Sequence, residues 1–240
     1  MGYGLTWDAR KKNEIREPDD SGEYWRCTLI EVETRLRVGR GIGQNETEAA
    51  IQLWRGVRRV TGMTIPPPLV SDGWGGHREA LVEVFGQVPP YSGHGRPPSK
   101  KHPQAGWLYL QMVKQRDEHG HFLGTKLRVI YGPKTEVIEL MGESTAYIER
   151  SNLTSRTFNV RQARKTLAYS KEVFFHEAAA LLEDCYYNLV HPHKSLRLPL
   201  ADALPQKWLP RTPAMASNLT DHIWSVKELF SLVPIPINTK

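Results

Sequence analysis

The sequence predicts an α/β (α+β) fold, a mixed sheet flanked by helices, and three observations carry that prediction. Two β-rich runs, Tyr24–Glu31 (YWRCTLIE) and Thr34–Ile42 (TRLRVGRGI), lie a few residues apart and read as an antiparallel hairpin. A run with helical periodicity follows them. A triple proline, Pro66–Pro68, then leads directly into the short apolar strand Leu69–Ser71, which ends on Asp72. Strands alternating with amphipathic helices describe a sheet whose faces are covered. At 240 residues, 40% hydrophobic and 24% charged, the chain can bury a core without disulfides or metals. No run reaches the roughly 18 apolar residues of a membrane span.

Up to about Ser21 the chain is polar, with a candidate strand in its first half and a turn at EPDDSG. No apolar signal segment opens it, so a cytoplasmic, nucleoid-associated protein is expected. After the hairpin, Gly39, Gly41 and Gly43 loosen the chain. Asn45 or Thr47 then caps a helix with Glu46 and Glu48 in its first turn and Ala49, Ile51, Leu53, Trp54 and Val57 inward, ending by Thr61–Gly62. His77–Val84 forms a second helix, and the Pro-, Gly- and base-rich stretch Pro89–Pro103 is a loop. Trp107–Gln115 and Thr125–Tyr131 alternate as a second hairpin about the turn Asp117–Gly120, and Glu136–Met141 fits either helix or strand. Ser144 or Thr145 caps a helix from about Ala146, Val173–Leu189 is a strongly apolar one, and a Pro-rich tail wraps the body. Cys27 and Cys185 are packing residues, too far apart in sequence for a zinc motif.

Charge points to a polyanionic partner. The net charge is +6, and no acid stands between Glu83 and Asp117, where Arg96, Lys100, Lys101, Lys114 and Arg116 lie. A second acid-free stretch, Arg150 to Lys171, holds six bases, including Arg156, Arg161, Arg164 and Lys165. The carboxylates these stretches flank are the chemical candidates. Asp72 closes a strand and is followed by glycines that let a ligand approach, although DG is also an ordinary turn. Glu149 suits a helix start, and Asn152 and Arg156 follow it at i+3 and i+7 on one face, a carboxylate–amide–guanidinium stripe fit for metal and phosphate. Trp74, Tyr91, Trp107 and Tyr109 interleave with the basic loop as candidate stacking platforms, with core packing the plainer role for Trp107 and Tyr109. His191 and His193 read as surface residues, and His176 as a core histidine.

SDGWGG around Asp72, TAYIERSNLTSR around Glu149 and the following RQARKTLAYSK resemble the second and third acidic motifs of bacterial insertion-sequence transposases, most nearly the insertion-sequence-one group. YWRCTLIEVETRLRVGRGIG resembles the segment between that family's first two acids, and YYNLVHPHKSLR the close of its catalytic domain, so the resemblance covers about residues 23–198. It implies an RNase H-like domain over 1–198, a mixed five-stranded sheet with a basic loop and hairpin inserted at about 93–131, followed by a Pro-rich extension over 199–240. It also implies an Asp-Asp-Glu triad holding two Mg²⁺ ions, for which Mn²⁺ can substitute, cleavage at transposon ends and transfer of the freed 3′-hydroxyl into target DNA. Arg150, Asn152, Arg156, Lys100, Lys101, Arg164 and Lys165 are then the DNA-contacting residues.

Three departures accompany the resemblance. Asp72 and Glu149 stand 77 residues apart, a long separation that an insertion would explain. The family's first acid, three residues ahead of a tryptophan, falls on Gly4 when counted from Trp7, leaving Asp8, or second Glu31, as substitute. No zinc ribbon or helix-turn-helix precedes the domain, so an upstream reading-frame product is expected to supply DNA recognition, with a homodimer or larger assembly on DNA. A catalytically inactive DNA-binding remnant and another RNase H-like nuclease, such as a resolvase or ribonuclease, are the alternatives.

Overall fold

The computed structural model describes residues 2–6, 24–141, 146–162, 167–168, 170, 172–200 and 207–232. Its centre is a mixed six-stranded sheet of β1 (Gly2–Thr6), β2 (Trp25–Ile30), β3 (Arg37–Gly43), β4 (Leu69–Asp72), β5 (Tyr109–Arg116) and β6 (Phe122–Tyr131), in the order β3-β2-β1-β4-β5-β6. β2 is antiparallel to β1 and β3, β4 and β5 run parallel to β1, and β6 returns antiparallel to β5. The mixed α/β class expected from the sequence is therefore present. The second hairpin is not an insertion outside a five-stranded sheet, because β5 is the neighbour of β4 and β6 adds a sixth strand. The segment Trp107–Leu110 shows why: Trp107 and Tyr109 join one core and Leu110 the other, so this part of the strand is buried on both faces and lacks the alternation of a half-exposed hairpin.

Helices cover both faces. α1 (Glu46–Thr61) and α2 (Gly76–Phe85) pack on the face that Cys27, Leu29, Leu69 and Tyr109 share. Asn45, not Thr47, caps α1, its side chain accepting from the Glu48 amide at 2.8 Å, and Gly62 closes it with a positive φ of 69°. The other face carries α3 (Lys134–Met141), whose Val137 meets Val70 and Leu110. α4 (Ala146–Phe158), which contacts β1, and α5 (Val173–Cys185) lie on the same side. Glu136–Met141 is thus helical. The cap expected at Ser144 or Thr145 lies outside the described residues. α5 ends earlier than expected, passing into a π-helical turn over Tyr186–Val190. The tail folds back on that turn: β7 (Leu198–Pro199) pairs with β8 (Trp208–Leu209), and α6 (Pro213–Ala216) and α7 (Val226–Leu232) follow.

The glycines expected to loosen the chain have a different role: they lie within β3 and bring α1 against it. A Cβ on Gly41 would stand 1.9 Å from the Ala49 carbonyl oxygen and 2.4 Å from the Leu53 amide nitrogen, both backbone atoms of α1. Gly41→Ala is accordingly expected to lose about 3 kcal/mol or more, because only displacement of the helix relieves the overlap. Urea unfolding measures it, and a loss below about 1 kcal/mol would refute the close approach.

Candidate functional site

Side-chain alternation along β4 places Asp72. Leu69 belongs to the α1/α2 core and Val70 to the opposite cluster, so Ser71 returns to the first face and Asp72 follows Val70 to the face of α3 and α4. Asp72 pairs in register with Met112 of β5, and Lys114, two residues on, has the same parity. Its Nζ lies 2.7 Å from Glu149 Oε1, and both side chains are more than half exposed. By register Asp72 and Lys114 thus belong to the same end of the same sheet face, and Lys114 reaches Glu149 from there. As an exposed pair the link adds little stability. Its effect is to hold a cation against the carboxylate.

The backbone around Asp72 is held by a polar chain. The Asp72 carboxylate accepts from the Trp74 amide at 3.1 Å, and Ser71 Oγ donates to the Asp72 carbonyl at 2.8 Å. With the Ser71 proton so used, the Tyr109 hydroxyl donates to Ser71 Oγ, 2.8 Å away, and burial keeps that phenol protonated by pushing its pKa up to about 12. Gln111, fully buried, donates through Nε2 to the Tyr109 oxygen and the Trp74 carbonyl, both at 2.8 Å. Its Oε1 accepts from Arg128, whose Nη2 also reaches the Gly73 carbonyl at 3.2 Å. Three successive carbonyls after Ser71 are thereby fixed. Gln111 and Arg128 escaped the sequence reading because their role depends on strand pairing.

Glu46 is a further carboxylate near Asp72. Burial first, and the Asp72 charge second, raise its pKa above the usual carboxylate range, and the same charge adds to burial in pushing the Cys27 thiol up. In the sequence Glu46 is only a helix-start anion. Only the packing of α1 on the sheet brings its start within range of the Asp72 charge, at the strand end where the two faces of the sheet meet.

The substitutes for the first acid fare differently. β1 runs parallel to β4 with Gly2 opposite Val70, so Gly4 is level with Asp72. Asp8 lies outside the described residues. Glu31 is not part of the site: it follows β2 three residues beyond Thr28, the partner of Gly4, about 10 Å along the strand. Its carboxylate accepts from the amides of Glu33 and Thr34 at 3.0 and 2.6 Å. Although burial opposes ionisation, a hydrogen bond from the Thr34 hydroxyl, together with those amides, holds its pKa below the ordinary value.

The expected stripe on α4 is partly realised. Glu149 and Arg150 are exposed, while Asn152 and Arg156 are half-buried. The inward residues are polar, Ser151 and Ser155, and Arg37 of β3 meets both. Arg37 Nε donates to Ser151 Oγ at 3.1 Å and Nη2 to Ser155 Oγ at 2.8 Å, while Nη1 reaches Glu183 at 2.6 Å and Asp184 at 3.0 Å. Arg26 of β2 pairs with the same two α5 carboxylates. Burial opposes the ionisation of Glu183, but Arg26 and Arg37 hold its pKa below the usual range. Because the folded value lies below the unfolded one, Glu183 stabilises the fold fully above about pH 4.3 and loses that contribution as pH falls through the folded value. His77 and His193, lowered by burial to about 3 and about 4, add a decline that begins near pH 6.5. Urea midpoints across this range are expected to fall with pH, and Glu183→Gln to flatten only the acid end.

Among the other candidates, Lys100 is exposed, and Lys101 Nζ is 2.8 Å from Glu83 Oε1. Arg164 and Lys165 lie outside the described residues. Trp107 and Tyr109 are core residues, Trp74 packs edge-on against His77 at 4.9 Å, and Tyr91 is exposed. His191 and His193 are half-buried rather than surface residues, with His193 packed edge-on against Tyr187 at 4.5 Å, and His176 is half-buried rather than core. The tail covers the HPH turn, which buries its histidines in part, and α5 leaves part of its apolar surface exposed, which keeps His176 out of the core.

Comparisons with protein-family models, with curated proteins and with solved structures give no match. Among the described residues, no helix is long and apolar enough to cross a membrane.

Proposed function

We propose that this chain is the catalytic domain of a DNA transposase that cleaves phosphodiester bonds at transposon ends with Mg²⁺ and joins the freed 3′-hydroxyl to target DNA. The observation that supports the reading is that Lys114, two residues past the register partner of Asp72 on β5, pairs with Glu149 in the first turn of α4, which links the strand end that carries Asp72 to the helix that carries Glu149, 77 residues away in sequence. The strand order β3-β2-β1-β4-β5 supports assigning the sheet to the RNase H-like architecture, with β6 as an added edge. The basic stretches supply the phosphate-neutralising charge.

The donor set suits the metal. Mg²⁺ takes oxygen ligands and is commonly held by one or two carboxylates together with substrate phosphates, a role Asp72 and Glu149 fit. Among the described residues no three His, Cys, Asp or Glu side chains converge as a metal-binding group; the third carboxylate of this proposal is Asp8, expected from the sequence. When bound, such ions stabilise the attacking and leaving oxygens of phosphodiester exchange. The chain's own part is positional. The Gln111–Arg128 chain fixes the Asp72 loop, Arg37 fixes α4, and Lys114 and Arg150 place positive charge where a phosphate would pass.

A specific observation favours a second reading, an inactive DNA-binding remnant: glycine occupies the β1 position level with Asp72. Nicking and strand transfer on supercoiled plasmid and oligonucleotide ends, with Mg²⁺ or Mn²⁺, separate the readings. Joining of 3′ ends to plasmid supports the transposase, and hydrolysis without joining supports another nuclease. Salt-dependent binding without cleavage supports the remnant. Within the assay Asp8→Ala is expected to abolish cleavage, whereas Glu31→Ala leaves it unchanged.

A further inference from the structure

A groove of about 1190 Å³ opens on the α1/α2 face, between α2, the loop after it and the β5–β6 hairpin. It begins at Gly75, three residues past Asp72, and Gln111 and Arg128, which grip the Asp72 loop, line it. Its side chains fall into two kinds. Ile51, Val82, Ile130 and Tyr131 are half-buried and pack on the core, giving an apolar and aromatic floor. Arg78, Lys100 and Arg128 are exposed around it, and Lys101 neutralises Glu83, leaving Glu79 as the acid without an opposing partner among the groove's ion pairs.

We propose that this groove binds a single strand of DNA, its phosphates on Arg78, Lys100 and Arg128 and its bases against the Ile130–Tyr131 floor, and leads that strand to Asp72. A duplex presents only phosphates to such a surface and has no use for an apolar floor, whereas unpaired bases stack on one. Groove and acid lie on opposite faces of the sheet, so a strand joining them crosses the end of β4 at the Gly73–Gly75 turn. There Gly75 has open space where a side chain would stand, and Arg128 already holds the Gly73 carbonyl. Through Gln111 the same guanidinium is bonded to the chain that fixes Asp72, so a phosphate on Arg128 bears directly on the loop. The inference deepens the function proposed above and rests on it for the identity of the strand, but not for the groove's own chemistry.

The test is fluorescence anisotropy of the full chain with a labelled single-stranded oligonucleotide and its duplex over a salt series. Arg78→Glu combined with Lys100→Glu is expected to weaken single-strand binding about tenfold or more and to reduce the salt slope by about 1.4, two phosphate contacts on a single strand. Arg55→Glu combined with Arg59→Glu, an equal charge change on the exposed side of α1, is expected to leave single-strand binding within about twofold. Equal loss in both pairs, or loss confined to the duplex, would overturn the groove. Asp72→Asn separates the two ideas. Groove-dependent binding without any wild-type nicking refutes the reading of Asp72 and Glu149 and upholds the groove. Nicking abolished by Asp72→Asn but unaffected by the groove pair, at unchanged single-strand affinity, refutes the groove and upholds the acids.

Discussion

Asp72→Asn is expected to reduce Mg²⁺-dependent nicking by at least about a thousandfold while leaving the fold intact. The amide keeps an oxygen able to accept from the Trp74 amide, so the turn after β4 retains its cap. What it removes is the negative charge, the property a hard cation requires. Members of one catalytic unit fail together rather than additively, so Glu149→Gln is expected to cost about as much, and the double variant little more. Glu149→Gln also breaks the ion pair with Lys114, but that pair is too exposed for its loss to mimic unfolding. Single-turnover nicking, with thermal unfolding as the control, measures both effects. Undiminished nicking in the two variants would remove these carboxylates from the chemistry.

Arg37→Met is expected to destabilise the fold by about 3–5 kcal/mol, a large share of the stability of an ordinary domain. The substitution keeps much of the aliphatic volume but leaves Glu183 and Asp184, both nearly inaccessible, with Arg26 and the half-exposed Arg40 as their remaining arginines. Ser151 and Ser155 of α4 lose their guanidinium donor at the same time. A double-mutant cycle with Glu183→Gln is expected to show a coupling of about 0.5–3 kcal/mol, since the two residues share one network. Because α4 carries Glu149, nicking is expected to fall further than the folded fraction does. Lost stability with unchanged nicking per folded molecule would confine Arg37 to a structural role.

Local patterns were readable because they are properties of neighbouring residues. Asn45 or Thr47 beside Glu46 and Glu48 marks a cap, Pro68 before Leu69 marks where a strand can begin, and the β-rich run Tyr24–Glu31 marks a strand. Asp72 at a strand end and Glu149 in a first helical turn follow from the same kind of reasoning, and both occupy those places. Where two strands pair is not written in either of them. Trp107–Leu110 read as half of an inserted hairpin until its pairing with β4 buried it on both faces. Gly39, Gly41 and Gly43 read as loose chain until α1 lay against them.

The sequence by itself determined the mixed α/β class, the starts and stops of most elements, the basic character of two stretches and the two acids worth testing. Tertiary structure alone decided that Lys114 meets Glu149, that Gln111 and Arg128 fasten the Asp72 loop, that Arg37 anchors α4, and that Glu31 is committed to a turn. The physical reason is range. Caps, breaks and periodicity act over a few residues along the chain, whereas a site is a coincidence in space among residues up to 158 apart, as between Arg26 and Asp184, and only packing brings them within hydrogen-bonding distance.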